Sequence, residues 1–462
     1  MKRKFLPLLL AIALFAGALA GCSAPGGDPS PADGTQAGDP AAQTEGQLGQ
    51  FRTDATLAET VLVDEGGVKI TATGLTYTAY SVDVALTIEN NSGKDLSFVS
   101  GSLGYSCNSI NGYMVNDGYL NCDVANGKKA NDTISFYVDA LMLYGIDEIA
   151  DLEIGFSMTD DGYNTTYSGP RQLKTSAFDA HDYGADPYQE TITSRAAMRA
   201  YGYEIAHFTQ DALYEQKGVK LLSSGVMTNQ DGADALLLEV ENTTDSMVYV
   251  TTADIALNGL LVRSGSWSSD AVNPGKRCIV KVELSSVLDP AWWAVYGITD
   301  IGAVSLSLAQ RSQDGAELAA GVPVEVVIPG VNASFDGEGT EVYNNNGLRI
   351  VSKTVREDAS DYSDDLYVLL LAENNSGRTL TIDDAYDSLS VNGYMTEYAF
   401  DKQELADGKS AVLAIKLWGS SLQANQVTSP SDIQEVEMGL EILGGSASLD
   451  QPTLTLQFDQ QD

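Results

Sequence analysis

Histidine is almost missing: the 462 residues include two, His181 and His207. Neither stands beside a nucleophile or in a cluster with ligand spacing, which argues against a Ser–His hydrolase and a zinc centre. Gly-rich phosphate loops, His-Glu-x-x-His and Cys-x-x-Cys are also missing, so no catalytic residue, cofactor or metal ligand is nominated. Positive charge is scarce, with 26 Lys and Arg against 64 Asp and Glu and a formal charge of -38. So acidic a body repels phosphate backbones and anionic headgroups, which excludes nucleic acid as a partner and disfavours membrane contact through the folded part. The apolar run Phe5 to Ala20 is 16 residues long, short of the roughly 20 that a membrane-spanning helix needs.

That run follows Lys2, Arg3 and Lys4 and ends in Leu19-Ala20-Gly21-Cys22. Basic residues, a short apolar stretch and small residues together read as a secretory signal peptide over 1–21. The ending resembles the lipobox of bacterial lipoproteins, which implies that Cys22 carries the lipid and becomes the first mature residue. The membrane is then a partner through the acyl chains, which hold a protein on a bilayer when there are two or more. The expected location is the extracellular face of the cell membrane. Residues 22–56 are mostly Gly, Pro, Ala, Ser, Asp, Glu, Thr and Gln. They carry too little apolar surface to offset ordering entropy and are expected to form a disordered tether.

Beyond the tether the chain repeats itself three times. Each copy opens on a Gly-led strand: Gly67-Val68-Lys69-Ile70, Gly218-Val219-Lys220-Leu221 and Gly347-Leu348-Arg349-Ile350. An alternating strand follows and ends in Glu-Asn, at Glu89-Asn90, Glu241-Asn242 and Glu373-Asn374. Its period of two places the apolar set on one face of a sheet. Next comes Asn-Gly between apolar flanks, at Asn111-Gly112, Asn258-Gly259 and Asn392-Gly393. Asn-Gly suits a two-residue hairpin whose central positions both need φ > 0. A Gly-Lys pair then opens another strand at Gly127, Gly275 and Gly408, and a short helical crossover such as Ala140 to Tyr144 leads into the last strands. The fold class is all-β, three tandem immunoglobulin-like β-sandwich modules at 57–176, 212–330 and 340–460. The linker 177–211 is rich in Tyr and Phe and is expected to pack on a neighbour, with a helix over Thr193 to Tyr201. The Gly-rich joint from Pro329 to Thr340 is expected to be the looser hinge.

The Gly-Val-Lys opening, the Glu-Asn-Asn-Ser-Gly turn at Glu89 to Gly93 and Glu373 to Gly377, the Asn-Gly-Tyr hairpin and the Gly-Lys strand resemble the telokin-like immunoglobulin-fold modules of Gram-positive surface lipoproteins. The resemblance implies a sandwich fold and a cell-surface location and carries over no catalytic residue or ligand. The second copy departs from it, with Leu260 for the hairpin Tyr and Thr243-Thr244-Asp245 for Asn-Ser-Gly.

Cys107 and Cys122 flank the first Asn-Gly hairpin. Outside the cytoplasm a pair tends to oxidise, so a Cys107–Cys122 disulfide is expected, although the plain hairpin register puts Cys107 opposite Asn116; two free thiols are the alternative. Cys278 shares the inward parity of Val280 and Val282 and is read as a buried thiol. Acidic residues at Asp160-Asp161 and at Asp358, Asp361, Asp364 and Asp365 fit no calcium loop and are read as solvated loop carboxylates. Of the tryptophans, Trp418 has outward parity, while Trp292 and Trp293 lie in a crossover and are read as packed on the sheet; Trp267 is left as core or edge packing. The functional expectation is a non-enzymatic surface lipoprotein whose modules bind an extracellular protein or glycan or serve a structural role. Carbohydrate or envelope-polymer binding through an exposed Trp or Tyr face is one alternative. An extracellular hydrolase is a second, against which the lack of histidine in the modules counts.

Overall fold

A computed structural model describes residues 50–101, 107–229, 234–358 and 363–458. The signal peptide, Cys22 and nearly all of the tether lie outside the described residues, as does Asp361. No described helix is long and apolar enough to cross a membrane. The fold is all-β, and the described residues form four sheets of 4, 11, 9 and 7 strands with short helices between them.

The same antiparallel triplet recurs three times. The opening strand pairs with the Glu-Asn strand, and that strand pairs with the Gly-Lys strand. The first triplet is Val68–Tyr77, Ser81–Asn90 and Lys128–Tyr137. Val219–Asn229, Asp234–Asn242 and Arg277–Glu283 make the second, and Leu348–Glu357, Leu366–Asn374 and Lys409–Leu417 the third. Against each triplet lie strands gathered on a closing strand, Asp151–Asp160, Ala303–Arg311 or Glu435–Gly444. Buried apolar side chains form three clusters between these layers, each buried Val, Leu or Ile contributing roughly 1.5–3 kcal/mol. The three stretches are called the first, second and third blocks below.

The repeated landmarks interlock through one side chain. Asn90, Asn242 and Asn374 are fully buried. Asn90 donates through Nδ2 to Lys94 O and Val124 O and accepts at Oδ1 from Ser92 N. Asn242 does the same with Ser246 O, Val272 O and Thr244 N, and Asn374 with Arg378 O, Leu405 O and Ser376 N. Their carbonyls accept from Gly127, Gly275 and Gly408. The opening glycine packs against the same turn: a Cβ on Gly67 would sit 2.5 Å from Asn91 O, and one on Gly347 2.6 Å from Ser376 Cα. Glu-Asn therefore marks a backbone latch, needed because a buried carbonyl without a donor costs about 1–3 kcal/mol.

The Asn-Gly turns adopt the expected left-handed geometry, with φ of 48° and 93° at Asn111-Gly112, 51° and 85° at Asn258-Gly259, and 50° and 82° at Asn392-Gly393. Each Asn side chain also ties the turn to the segment entering the closing strand. Asn111 Nδ2 donates to Glu148 O, while its Oδ1 accepts from Ala150 N and Asp151 N. Asn258 makes the same contacts with Asp300, Gly302 and Ala303, and Asn392 with Asp432, Gln434 and Glu435.

The blocks differ in the second face of the Glu-Asn strand. In Ser81–Asn90 burial alternates strictly and only Val82, Val84, Leu86, Ile88 and Asn90 are buried. Leu236, Leu237 and Leu238 are all buried in the second block, as are Leu369, Leu370 and Leu371 in the third. Both of those strands are covered on two sides, and so carry apolar residues at both parities. The linker covers the second block: Tyr188, Ile192 and Met198 share a cluster with Met227, Leu237 and Ile279. The second block covers the third, since Leu284, Leu288 and Tyr296 pack with Val351, Leu369, Leu371 and Val412.

Three sequence expectations about the connections change in detail. The linker does pack, but as two helices, Pro187–Thr193 and Arg195–Ala200, because Ser194 breaks the run and caps the second through its bond from Ala197 N. Residues 51–56 are part of the folded body: Phe51 packs on the first core, Arg52 pairs with Asp147 at 2.9 Å and Ala55 is buried. The Gly-rich joint is pinned. Asp336 N donates to Tyr296 O at 2.7 Å, Asn258 Nδ2 to Ser334 O, and the buried Lys353 ammonium to Asp336 O and Glu338 O.

Candidate functional site

The expected Cys107–Cys122 disulfide is not formed, and Cys107, Cys122 and Cys278 are free thiols. Cys122 lies in the strand Leu120–Val124 opposite Phe98, and Cys107 is wholly buried with its carbonyl accepting from Asn273 Nδ2 at 2.7 Å. Cys107 thus belongs to the contact with the second block rather than to the hairpin ladder. Burial pushes the Cys107 thiol up to about 12. Burial and a bond with Asp132 push Cys122 up to about 11. A thiol held above pH 10 is a poor nucleophile. Cys278 is buried as read, and burial also raises its thiol well above the ordinary value.

His181 Nδ1 is hydrogen-bonded to the Glu148 carboxylate at 2.9 Å and the ring packs edge-on against Tyr183, at the junction of linker and first block. His207 lies in the strand Tyr203–Thr209. Asp160 is held by Lys94 and by the amides of Gly162 and Asn164, so it closes its own turn. Asp365 accepts from Gly419 N at 2.8 Å and pairs with Lys416 at 2.8 Å. These acidic residues serve the backbone and nearby cations.

A concave feature of the described surface lies between the second and third blocks. It is a groove of about 550 Å³ lined by Arg263, Asp289, Trp292, Asp358, Tyr367 and Asp401, among others. Arg263 comes from the long hairpin strand Leu260–Val272. Trp292 sits in the one-turn helix Pro290–Trp293, which starts where Asp289 accepts from Ala291 N at 2.8 Å. Tyr367 is the outward residue of the third Glu-Asn strand and meets Trp292 with ring centroids 4.9 Å apart at 59°. Lys416 Nζ lies 5.7 Å from the Tyr367 ring and 4.7 Å from that of Trp418, joining them into one aromatic ridge. Trp418 is 40% exposed, in keeping with its outward parity.

The groove carries both ionic and aromatic chemistry. Arg263 stands 3.5 Å from Asp401 and 5.8 Å from the centre of the Trp267 ring. Trp293 Nε1 donates to Leu288 O at 2.9 Å, whereas the buried Trp292 Nε1 has no acceptor. An unpaired buried donor costs about 1–3 kcal/mol. Ring faces beside charged donors and acceptors suit a hydroxylated ligand of moderate size. The sequence reading singled out Trp292 and Trp418 but missed Arg263, Tyr367 and Asp401, because these come from different blocks. The one local signal was an aromatic residue, Tyr367, at an outward strand position.

No protein-family model matches the chain, and no curated protein matches it. The telokin-like resemblance therefore rests on its motifs. Among solved structures, the chain is similar over 81% of its length to 90% of a chain from a study of host cell surface retention of a bacterial ice-binding adhesin, at 12% identity and a TM-score of 0.14. A biofilm-associated protein BSP domain aligns over 89% of this chain and 68% of its own, at 11% identity and a TM-score of 0.14. A protein of unknown function from Porphyromonas gingivalis aligns over 56% of this chain and all of its own, at 12% identity and a TM-score of 0.15. At such scores these likenesses carry no argument about what the chain does.

Proposed function

We propose that the chain is a non-enzymatic surface lipoprotein: a Cys22 lipid and a disordered tether hold three immunoglobulin-like modules at the cell surface for contact with an extracellular partner. One observation carries this reading. The repeated Asn side chains are used to fix turns within each block, and paired strands join each block to the next, which is what a presenting scaffold requires. The N-terminal sequence supports the anchor. The test is temperature-induced detergent phase separation of cells making the wild type or Cys22→Ala, combined with labelling by a membrane-impermeant reagent. The wild type enters the detergent phase and is labelled on intact cells, and the variant leaves the detergent phase. Equal partition of the two chains, or no labelling, rejects the reading.

The meeting of the Trp292 and Tyr367 rings near the exposed Trp418 favours a more specific second reading, in which the groove and the Trp418 ridge hold a glycan or envelope polymer. Glycan-array binding by the wild-type chain that is lost in Trp418→Ala and in Tyr367→Ala supports it. A wild-type chain that binds no glycan rejects it.

A further inference from the structure

The two joints between blocks are made in one register. At the first, Tyr113 stands opposite Arg277 in a parallel pair, and Arg277 N donates to Gly112 O at 2.8 Å. At the second, Leu260 and Leu261 stand opposite Ser410 and Ala411, also in parallel. Counting from each motif, the residue after Asn-Gly meets the residue after Gly-Lys in both cases. The first joint adds ionic contacts, with Lys276 Nζ 3.0 Å from Glu153 and 3.5 Å from Asp151.

The third block repeats the outgoing half of this joint without a partner. Its hairpin reads Asn392-Gly393-Tyr394-Met395, identical to Asn111-Gly112-Tyr113-Met114. Tyr113 and Met114 are 3% and 5% exposed, whereas Tyr394 and Met395 are 59% and 63% exposed. Glu435 and Glu437 hold the places of Asp151 and Glu153: Ser390 faces Glu437 as Ser109 faces Glu153, and Asn392 N donates to Glu435 O as Asn111 N does to Asp151 O. Among the described residues neither Glu435 nor Glu437 is in an ion pair.

The first block presents the incoming half. Lys128–Tyr137 is the edge of the four-stranded sheet, and it opens Gly127-Lys128-Lys129 as its counterpart opens Gly275-Lys276-Arg277. Lys128 and Lys129 are both exposed. Lys129 pairs with Glu89 at 2.8 Å, in the position where Arg277 approaches Glu241.

We propose that the hairpin of the third block docks on the Lys128–Tyr137 edge of a second copy of this chain, with Tyr394 opposite Lys129 and Glu435 and Glu437 receiving Lys128. The contact is heterologous, so it extends copies head to tail rather than closing a dimer. The outward face beside this edge carries Asp83, Ala85 and Thr87 and is polar. That does not oppose docking at the edge, because the matching apolar face of the second block is covered by the linker helices, while the hairpin itself contributes its strand pairing and the packing of Met114 in the second core. With backbone bonds and exposed ion pairs as its main parts, the association is reversible and salt-sensitive.

Cross-linking of the full chain tests the register. In a Cys122→Ser background, Tyr394→Cys and Lys129→Cys are prepared separately, mixed and oxidised, since paired strands bring Cα atoms to roughly the 5.5–6 Å that a disulfide needs. The mixture yields a cross-linked dimer at about tenfold the level given by Lys129→Cys with Tyr163→Cys, an exposed control, at low salt. Adding Glu435→Lys and Glu437→Lys to the first chain abolishes the excess, and Lys128→Glu in the second restores it. A yield equal to the control, or one indifferent to charge reversal, overturns the proposal.

Discussion

Arg277 stands opposite Tyr113 across the first joint, its backbone N–H donating to Gly112 O at 2.8 Å and its guanidinium reaching Tyr113 Oη at 3.3 Å. The same guanidinium lies 2.6 Å from Asp186 and 3.1 Å from Glu239, a carboxylate with no exposed surface. One side chain therefore holds first block, linker and second block together. Burial, which alone would lower it, is outweighed by Tyr113, Glu239 and Asp186, so the guanidinium stays charged.

Arg277→Ala leaves Glu239 buried without its cation. Breaking a buried pair from one side costs about 3–5 kcal/mol, and the loss is read as a lowered denaturation midpoint. Pairing it with Glu239→Leu recovers much of the loss, because the orphaned charge is then gone. A single variant that melts like the wild type contradicts the role assigned to Arg277.

The Asn latch predicts equivalent damage in three places. Asn90→Ala, Asn242→Ala and Asn374→Ala each strip two backbone carbonyls of their donor in a buried site. Each loses about 1–3 kcal/mol per unsatisfied group, measured by urea unfolding. A near-neutral result at any one of them shows that its latch is dispensable.

Coverage of the Glu-Asn strands predicts an asymmetry. Leu371→Ala, on the face covered by the second block, costs about 2–5 kcal/mol. Thr87→Ala, at an outward position of the first block, stays within about 0.5 kcal/mol. Equal costs in thermal melts count against the covered-face account.

Thiol titration checks the cysteine assignment. The folded chain reacts slowly at Cys122 and not at Cys107 or Cys278, denaturant exposes all three, and a reducing agent leaves the melting temperature unchanged. A melting temperature that falls on reduction returns the Cys107–Cys122 bridge.

Asp365 anchors Lys416 in the aromatic ridge. Burial pushes its carboxyl up, but the Gly419 amide and the Lys416 ammonium outweigh burial and hold it below the ordinary 3.8. A depressed folded value contributes stability that is full above the unfolded value and is lost as pH falls through the folded one. The melting difference between wild type and Asp365→Asn is therefore constant from neutral pH to about 4 and shrinks only below it. A difference that shrinks already between pH 7 and 5 contradicts this.

Much of the fold was legible because its signals are local. Alternation along Val82 to Ile88 and φ > 0 at Asn111-Gly112 are properties of a few consecutive residues. Part of the joints was legible too, though unread: Leu236-Leu237-Leu238 and Leu369-Leu370-Leu371 abandon alternation, and a strand apolar at both parities has a cover on each side. Cys107 misled because its nearness to Cys122 in sequence says nothing about Asn273, 166 positions away, which donates to its carbonyl.

Strand period, hairpin turns and the order of landmarks were set by the sequence alone, since backbone sterics and side-chain alternation act over a handful of residues. Which face each block turns to its neighbour, the free state of Cys107 and Cys122, and the meeting of Arg263, Trp292 and Tyr367 in one groove were decided only by tertiary structure. Those contacts join residues from separate blocks, and their energy comes from burial and pairing that no stretch of chain possesses by itself.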